Sequence, residues 1–299
     1  MDEKYLKQVK LVVDVLQFVA TESCFALKGG TAINLFYNNL PRLSVDIDLT
    51  YLGFEKRDIA IDNIKSALNR IVDRLKAKGY TAKIQGNGVE KKITCANSET
   101  IIKIEPNYII RGYVKKPELM TVCENIEDAF GFAEIQVISK PELYGGKICA
   151  ALDRQHPRDL FDIHNYLKNH EIDEDIIKGF VVMLLSHDKP LHETLCPNIK
   201  DQTEIFEKQF VGMTDESFTY EQHIEALNKL AAIIKTKIEP YANLLLDFVS
   251  LKNNLKDFGI DNLDKLPAIK WKIRNLENLR NNNPDKFQEQ YDKLLNYFQ

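Results

Sequence analysis

The sequence predicts an α/β (α+β) core built on a mixed sheet of about five to six strands and followed by a helical C-terminal domain. Three observations lead there. Up to residue 140, short runs of alternating apolar and polar residues are interleaved with amphipathic helical stretches. A Gly-Gly pair joins one apolar run to helical spacing, and beyond Pro141 strand-like alternation does not recur. The expected domains are residues 1–140 and 141–299.

In chain order, apolar spacing gives an amphipathic helix over residues 5–20, a short strand at 24–27, helical spacing at 32–37, a strand around 45–49 and a long helix over 57–78. Strands over 80–85 and 88–95 flank Gly86-Asn87, a pair that favours a hairpin turn. Further strands are expected near 100–111 and 133–138, which makes the later part of the sheet mostly antiparallel. Pro141 suits the first turn of a helix, and Pro157 opens another. Helical spacing recurs at 176–185, 220–237, 240–253, 263–280 and 284–298. Residues 189–215, with Pro190, Pro197 and Gly212, read as a connector in which Ile205-Phe206 and Phe210-Val211 are candidates to pack on the core.

Asp46 and Asp48 flank Ile47 within an apolar strand pattern, and residues two apart on a strand project to the same face. Two carboxylates there repel one another unless a cation or hydrogen bonds compensate. A divalent cation that prefers carboxylate and phosphate oxygens, Mg²⁺ first, is the expected partner. Upstream, Gly29-Gly30-Thr31 stands where an apolar run passes into helical spacing. Glycines at such a turn let backbone N–H groups approach a phosphate, and the helix N-terminus adds a favourable dipole. Each feature alone has a simpler reading, a turn or a surface strand; together they outline a site for metal and phosphate.

Two later blocks add candidates. Lys103 and Glu105 share one strand face opposite Ile102 and Ile104, so Glu105 is the candidate third carboxylate, the alternative being a solvent-facing Lys/Glu pair. In the helix from Pro141, Leu143, Ile148, Ala151 and Leu152 form an apolar stripe, and Lys147 extends as a point charge suited to a triphosphate. On the helix from Pro157, Arg158 and Asp162 are four apart and hence neighbours. Asp162 is a candidate to orient Lys147 or Arg158, or to act as a base. Asp159 lies in the first turn, where the helix dipole favours an acid, and reads as structural.

The Gly-Gly turn followed by Asp46-x-Asp48 resembles the first motif of the nucleotidyltransferase superfamily, with fifteen residues between Gly30 and Asp46, slightly more than in many members. The Gly29-Gly30-Thr31 opening and the Arg42, Ser44, Asp46, Asp48, Leu49 ending resemble more narrowly the AbiEii/AbiGii family. Those proteins are nucleotidyltransferase toxins of bacterial toxin–antitoxin and abortive-infection (phage-defence) systems. The stretch from Lys140 through Lys147 and Arg154 to Arg158-Asp159 and Asp162 resembles that family's Glu-Leu…Lys…Arg…Arg-Asp-x-x-Asp block.

The resemblance implies a nucleotidyltransferase core whose active-site cleft is completed by the helical domain, with Asp46, Asp48, Glu105, Lys147 and Asp162 catalytic. It implies two Mg²⁺ ions, or Mn²⁺, held by Asp46, Asp48 and Glu105, with Glu105 also the general base. An NTP is expected near Gly29, Gly30, Thr31, Arg42, Ser44, Lys147 and Arg158. The implied reaction moves NMP from the NTP to an acceptor, the 3′ end of tRNA first, with growth arrest as the consequence and a cognate antitoxin as partner. A small-molecule or protein acceptor, or a non-catalytic nucleotide- or RNA-binding domain, are the alternatives.

Composition bounds these expectations. At 299 residues and 44% hydrophobic the chain can bury a substantial core. The sequence holds neither a run of eighteen apolar residues nor a signal-peptide pattern, so a cytoplasmic location without membrane contact is expected. Five scattered cysteines without a Cys-x-x-Cys pair argue for reduced thiols rather than a zinc site or disulfide framework, and the six histidines lack ligand spacing. The net charge of -4 is unevenly spread: residues 1–168 carry 24 basic and 22 acidic side chains, 169–251 carry 7 and 15, and 252–299 carry 9 and 7. RNA would therefore be held by local patches, with Lys91-Lys92, Lys115-Lys116 and the set Lys265, Lys270, Lys272, Arg274 and Arg280 around Trp271 as candidates.

Overall fold

The computed structural model describes residues 1–252 and 254–299. They form two compact units, Met1–Ser139 with Glu207–Ser217, and Lys140–Phe206 with Phe218–Gln299.

The first unit opens with α1 (Glu3–Ala20), started by Asp2, whose side chain accepts a hydrogen bond from the Lys4 N–H. There follow β1 (Phe25–Lys28), α2 (Gly29–Ala32) continued by a π-helical stretch over Ile33–Tyr37, β2 (Asp46–Tyr51) and α3 (Arg57–Ala77). Next come β3 (Thr81–Gln85), β4 (Lys92–Ala96), β5 (Ile101–Asn107), β6 (Glu118–Thr121), α4 (Glu124–Phe130) and β7 (Glu134–Val137). The strands make one seven-stranded sheet in the order β3-β4-β5-β2-β1-β7-β6. It is mixed: β2 runs parallel to β5 and β1 parallel to β7, while the other neighbours are antiparallel.

Strand count and one turn differ from expectation. The additional strand, β6, is a short edge strand whose Leu119 is 64% exposed, so it carries no apolar alternation for the sequence to betray. Gly86-Asn87 is not a two-residue hairpin turn, because β3 ends at Gln85 and β4 starts only at Lys92. Gly86 and Gly88 both take positive φ in this longer loop.

One face of the sheet is apolar. Ala82, Ile93, Cys95, Ile102, Ile104, Ile47 and Leu49 are all buried there, packed under α1 and α3. The segment expected to be a connector contributes to this unit: the Asp2 N–H donates to the Gly212 carbonyl at 2.8 Å and the Leu43 N–H to the Met213 carbonyl at 2.7 Å. Phe210 and Met213 are buried, whereas Val211 is 61% exposed.

The second unit contains no strand among the described residues. Its helices are α5 (Lys140–Arg154), α6 (Pro157–Asn169), α7 (Glu174–Ser186), α8 (Leu191–Leu195), α9 (Thr203–Gln209, whose last residues belong to the first unit), α10 (Tyr220–Ile238), α11 (Ala242–Val249), α12 (Pro267–Asn282) and α13 (Pro284–Phe298). Helical spacing at 240–253 resolves into a 3-10 turn, Glu239–Tyr241, and α11; residue 253 lies outside the described residues. Helix α10 starts from a capping box in which the Thr219 and Gln222 side chains and backbones bond reciprocally. Among the described residues no helix is long and apolar enough to cross a membrane.

Helices α5 and α7 touch backbone to backbone. A methyl group at Gly145 would fall on the backbone of Gly179 and Phe180, and one at Gly179 on that of Pro141. Gly145→Ala is therefore expected to lower stability by about 3 kcal/mol, read as a reduced urea midpoint with an unchanged slope.

His223 on α10 is wholly buried, lies parallel to Tyr220 with ring centroids 5.3 Å apart, and neither ring nitrogen finds a hydrogen-bonding partner among the described residues. Burial, with the charge of His156 adding, pushes its pKa from 6.5 down to about 4. Between those values the unfolded chain binds a proton that the folded chain refuses, so stability is present above pH 6.5 and drains away as pH falls toward 4. Replacing His223 by Phe should flatten the melting-temperature profile in that window, removing an acid-induced loss of about 3 kcal/mol.

Candidate functional site

The carboxylates of the first unit are placed by β2. Along it Asp46 and Asp48 are half-buried while Ile47 and Leu49 are fully buried, so both acids stand on the face opposite α1 and α3. In the parallel pairing with β5, Asp48 is in register with Glu105 and Asp46 with Lys103. In the antiparallel pairing with β1, Asp48 is opposite Lys28, the residue just before the glycine turn.

That register dictates the turn. Gly29 has φ of +74°, and a Cβ placed there would lie 2.6 Å from Asp48 Oδ2. A Cβ on Gly30 would lie 2.6 Å from Arg42 Nη2 and 3.0 Å from Ser44 Oγ. Gly29 takes a left-handed conformation that favours glycine, and a side chain at either position would press on those groups.

Thr31 and Ser44 hold the turn in place, and Arg42 packs against Gly30. Thr31 and Ser44 are buried; the Thr31 hydroxyl donates to the Asp46 carbonyl at 2.5 Å, so the Ser44 hydroxyl donates to Thr31 Oγ1 at 3.0 Å. The bonds stitch the first turn of α2 to the start of β2. Arg42 is 2% exposed and donates from Nη1 to the Leu43 carbonyl at 2.9 Å. Asn34 Nδ2 donates to the Gly30 carbonyl at 2.8 Å.

Glu105 is held by a residue the sequence offered only as part of a surface patch. Lys92 Nζ lies 2.8 Å from Glu105 Oε1, both side chains about two-fifths exposed (40% and 39%). The hydrogen bond and charge of Glu105, with Asp46 adding, hold the Lys92 ammonium above its ordinary pKa. Among the described residues no group of three or more His, Cys, Asp or Glu stands together as a metal cluster. The donor set nevertheless suits a hard cation, since Asp46 and Asp48 share a face, Glu105 is in register with Asp48, and Gly29 leaves Asp48 Oδ2 uncrowded.

In the second unit Lys147 is a buried hub. Its ammonium lies 2.8 Å from Asp159 Oδ1 and 2.9 Å from Asp162 Oδ2, with all three side chains at most 6% exposed. Arg154 grips Asp159 with Nε at 2.5 Å and Nη2 at 3.0 Å, a two-pronged contact. Burial works against the Asp159 charge, but Lys147 and Arg154 prevail and hold its carboxyl well below the usual range. Of the partners the sequence offered Asp162, Lys147 is within ion-pair distance, and Asp159, read as a helix-start acid, contacts the same ammonium. Pro157 occupies the first turn of α6, and the His156 side chain caps it by accepting from the Arg158 N–H at 3.2 Å. Arg158 itself is half-buried.

The basic patch around Trp271 loses one member. Lys272 is buried and donates to the carbonyls of His187 at 2.9 Å and Asp188 at 3.4 Å, and to that of Lys189. Trp271 is 55% exposed.

The sequence model of the nucleotidyl transferase AbiEii toxin family, type IV toxin–antitoxin system, matches residues 10–282. The chain belongs to the AbiEii family. It is thus a nucleotidyltransferase toxin of the type IV toxin–antitoxin class, which implies an NTP substrate and an antitoxin partner. No curated protein sequence matches the chain. Among solved structures it is similar to MenT4, a nucleotidyltransferase toxin from Mycobacterium tuberculosis H37Rv, with a TM-score of 0.59 and 13% identity over 84% of this chain and 94% of that one. At that identity the likeness speaks for the fold, a mixed sheet with a helical C-terminal region.

For this AbiEii-family chain the hub makes a stability prediction. Lys147→Met leaves Asp159 and Asp162 buried with one fewer cation, and should lower unfolding free energy by about 3–5 kcal/mol in a denaturant titration. The companion triple change Lys147→Met/Asp159→Leu/Asp162→Leu should recover most of that loss.

Proposed function

We propose that the protein transfers NMP from an NTP to the 3′ end of tRNA in a Mg²⁺-dependent reaction, with Asp46 and Asp48 as its principal catalytic carboxylates. The observation that carries this reading is the convergence on one sheet face of both carboxylates, Glu105 in register beside them, and a glycine turn that admits no side chain. Asp46, Asp48 and Glu105 would hold Mg²⁺, or Mn²⁺ in its stead, which would supply charge neutralisation for the triphosphate and a more acidic acceptor hydroxyl.

The chain's own residues do the rest. Gly29 and Gly30 expose backbone N–H groups at the start of α2 for phosphate oxygens. Thr31 and Ser44 hold that turn against β2, which sets the distance between phosphate and carboxylates, and Arg42 packs beside Gly30. Glu105 accepts the proton of the attacking hydroxyl once it exchanges Lys92 for the site. Lys147, Asp162 and Arg158 are assigned to the triphosphate by the family block they occupy; for Lys147 this asks the ammonium to remain anchored by Asp159 and Asp162 while presenting its field.

The test is incubation with each radiolabelled NTP, Mg²⁺ and total bacterial RNA. Label should enter tRNA with the wild type, and Asp46→Asn or Asp48→Asn should cut the rate by about 10³-fold while melting like the wild type. Full activity in either variant overturns the mechanism. Label moving into protein or a small molecule instead would keep the carboxylate chemistry and replace the acceptor.

A further inference from the structure

The polar face of the sheet does not end at the carboxylates. Strand register continues it outward in rows. Asp46 is in register with Lys103, Lys103 with Thr94, and Thr94 with Lys83. A parallel row runs from Asp48 through Glu105 and its partner Lys92 to Gln85. Beyond these rows Ile101, in register with Ala96, is 52% exposed.

The two rows differ in their use of charge. Lys92 is committed to Glu105, whereas Lys83 and Lys103 are exposed and take part in no ion pair among the described residues. Strands neighbour one another at about 4.8 Å, so the row from Asp46 to Lys83 spans about 14 Å. Two ammonium groups set apart along a line that ends at paired carboxylates match a chain of phosphates ending in a hydroxyl, and exceed what a small acceptor needs. With a net charge of -4 the protein attracts no polyanion as a whole, so a local row of this kind has to do it.

We infer that the face of β3, β4 and β5 is the track for the acceptor strand: the sugar–phosphate backbone of a single-stranded RNA 3′ end lies along it, with Lys103 and Lys83 on phosphates. Ile101 offers an apolar surface to a base, and the terminal hydroxyl arrives at Asp46 and Asp48. The contacts are to backbone, so the track positions the strand without reading its sequence. This inference rests on the proposal that the acceptor is RNA.

The experiment uses the full chain and a short 5′-fluorescein-labelled single-stranded RNA of mixed sequence, with anisotropy measured over a range of salt concentrations. Lys83→Gln/Lys103→Gln is compared with Lys76→Gln/Lys78→Gln, which removes the same charge from the exposed end of α3, against the sheet's other face. The first variant should weaken binding by about tenfold at low salt and reduce the slope of log K against log[salt] by about 1.4, for two lost phosphate contacts. In turnover its RNA KM should rise far more than kcat falls, while the α3 variant tracks the wild type. Equal affinities and slopes in all three proteins, or equal losses in both variants, overturn the track and leave the RNA acceptor standing. A wild type that binds no RNA and labels another acceptor overturns the acceptor reading itself, and the track with it.

Discussion

The arrangement of the first unit depends on the register of β2. That strand is gripped on one side by β1, which sets Lys28 opposite Asp48, and on the other by β5, which sets Glu105 beside the same residue. Because side chains alternate with a period of two, a slip by one residue would send Asp46 and Asp48 into the core and Ile47 and Leu49 to the solvent face. Burying two unpaired carboxylates costs an amount comparable to the whole stability of a domain, so the slipped state is not a competitor. The apolar alternation that builds the core is thus also what aims the carboxylates. The glycine turn follows from it: the chain leaves β1 immediately beside Asp48, and whatever stands at position 29 must share space with that carboxylate.

The second unit meets a different constraint. An ammonium and two carboxylates at most 6% exposed gain from their mutual attraction roughly what they lose in hydration, and apolar residues of the same volume would often hold the helices as well. Stability alone does not account for Lys147, Asp159 and Asp162. What the trio does provide is a cation whose position is fixed from two directions, with Arg154 fixing one of the anchors in turn. A cation fixed in this way suits the role proposed for Lys147, since no reorganisation would have to precede a reaction.

How much of this could be read from the sequence follows from where each feature's signal resides. The shared face of Asp46 and Asp48 and the half-buried place of Glu105 were legible because strand alternation places such positions without reference to the rest of the chain. The long helices were legible for the same reason at the other period, α3 and α13 among them. Strand β6 was not, since an exposed edge strand has no apolar face. The place of Gly212, Met213 and Thr214 in the first unit was hidden because it rests on backbone bonds to Asp2 and Leu43 and a side-chain bond to Pro41, distant in sequence. The Lys92–Glu105 pair depends on the length of the loop from 86 to 91, which a hairpin reading of Gly86-Asn87 shortened. Thr31 and Ser44 read as phosphate ligands; their hydroxyls prove to be engaged with each other and with the Asp46 carbonyl, which composition could not foretell.

A protein of net charge -4 that handles a triphosphate has to concentrate its cations. Screening at physiological salt limits the reach of an exposed charge to about 8 Å, so distant lysines contribute little and neighbours decide. On the polar sheet face each carboxylate of β2 has a cationic or acidic neighbour one strand away, Lys103 beside Asp46 and Glu105 with its Lys92 beside Asp48. Opposite charges at that spacing keep the face nearly neutral as it stands, and a phosphate chain is then drawn in only where an ammonium has no carboxylate of its own. Lys83 lies two strands beyond Lys103 and farther still from the carboxylates, and neither it nor Lys103 is held in an ion pair among the described residues as Lys92 is, so the direction of the row, rather than the sum of charges, is what the proposed track relies on.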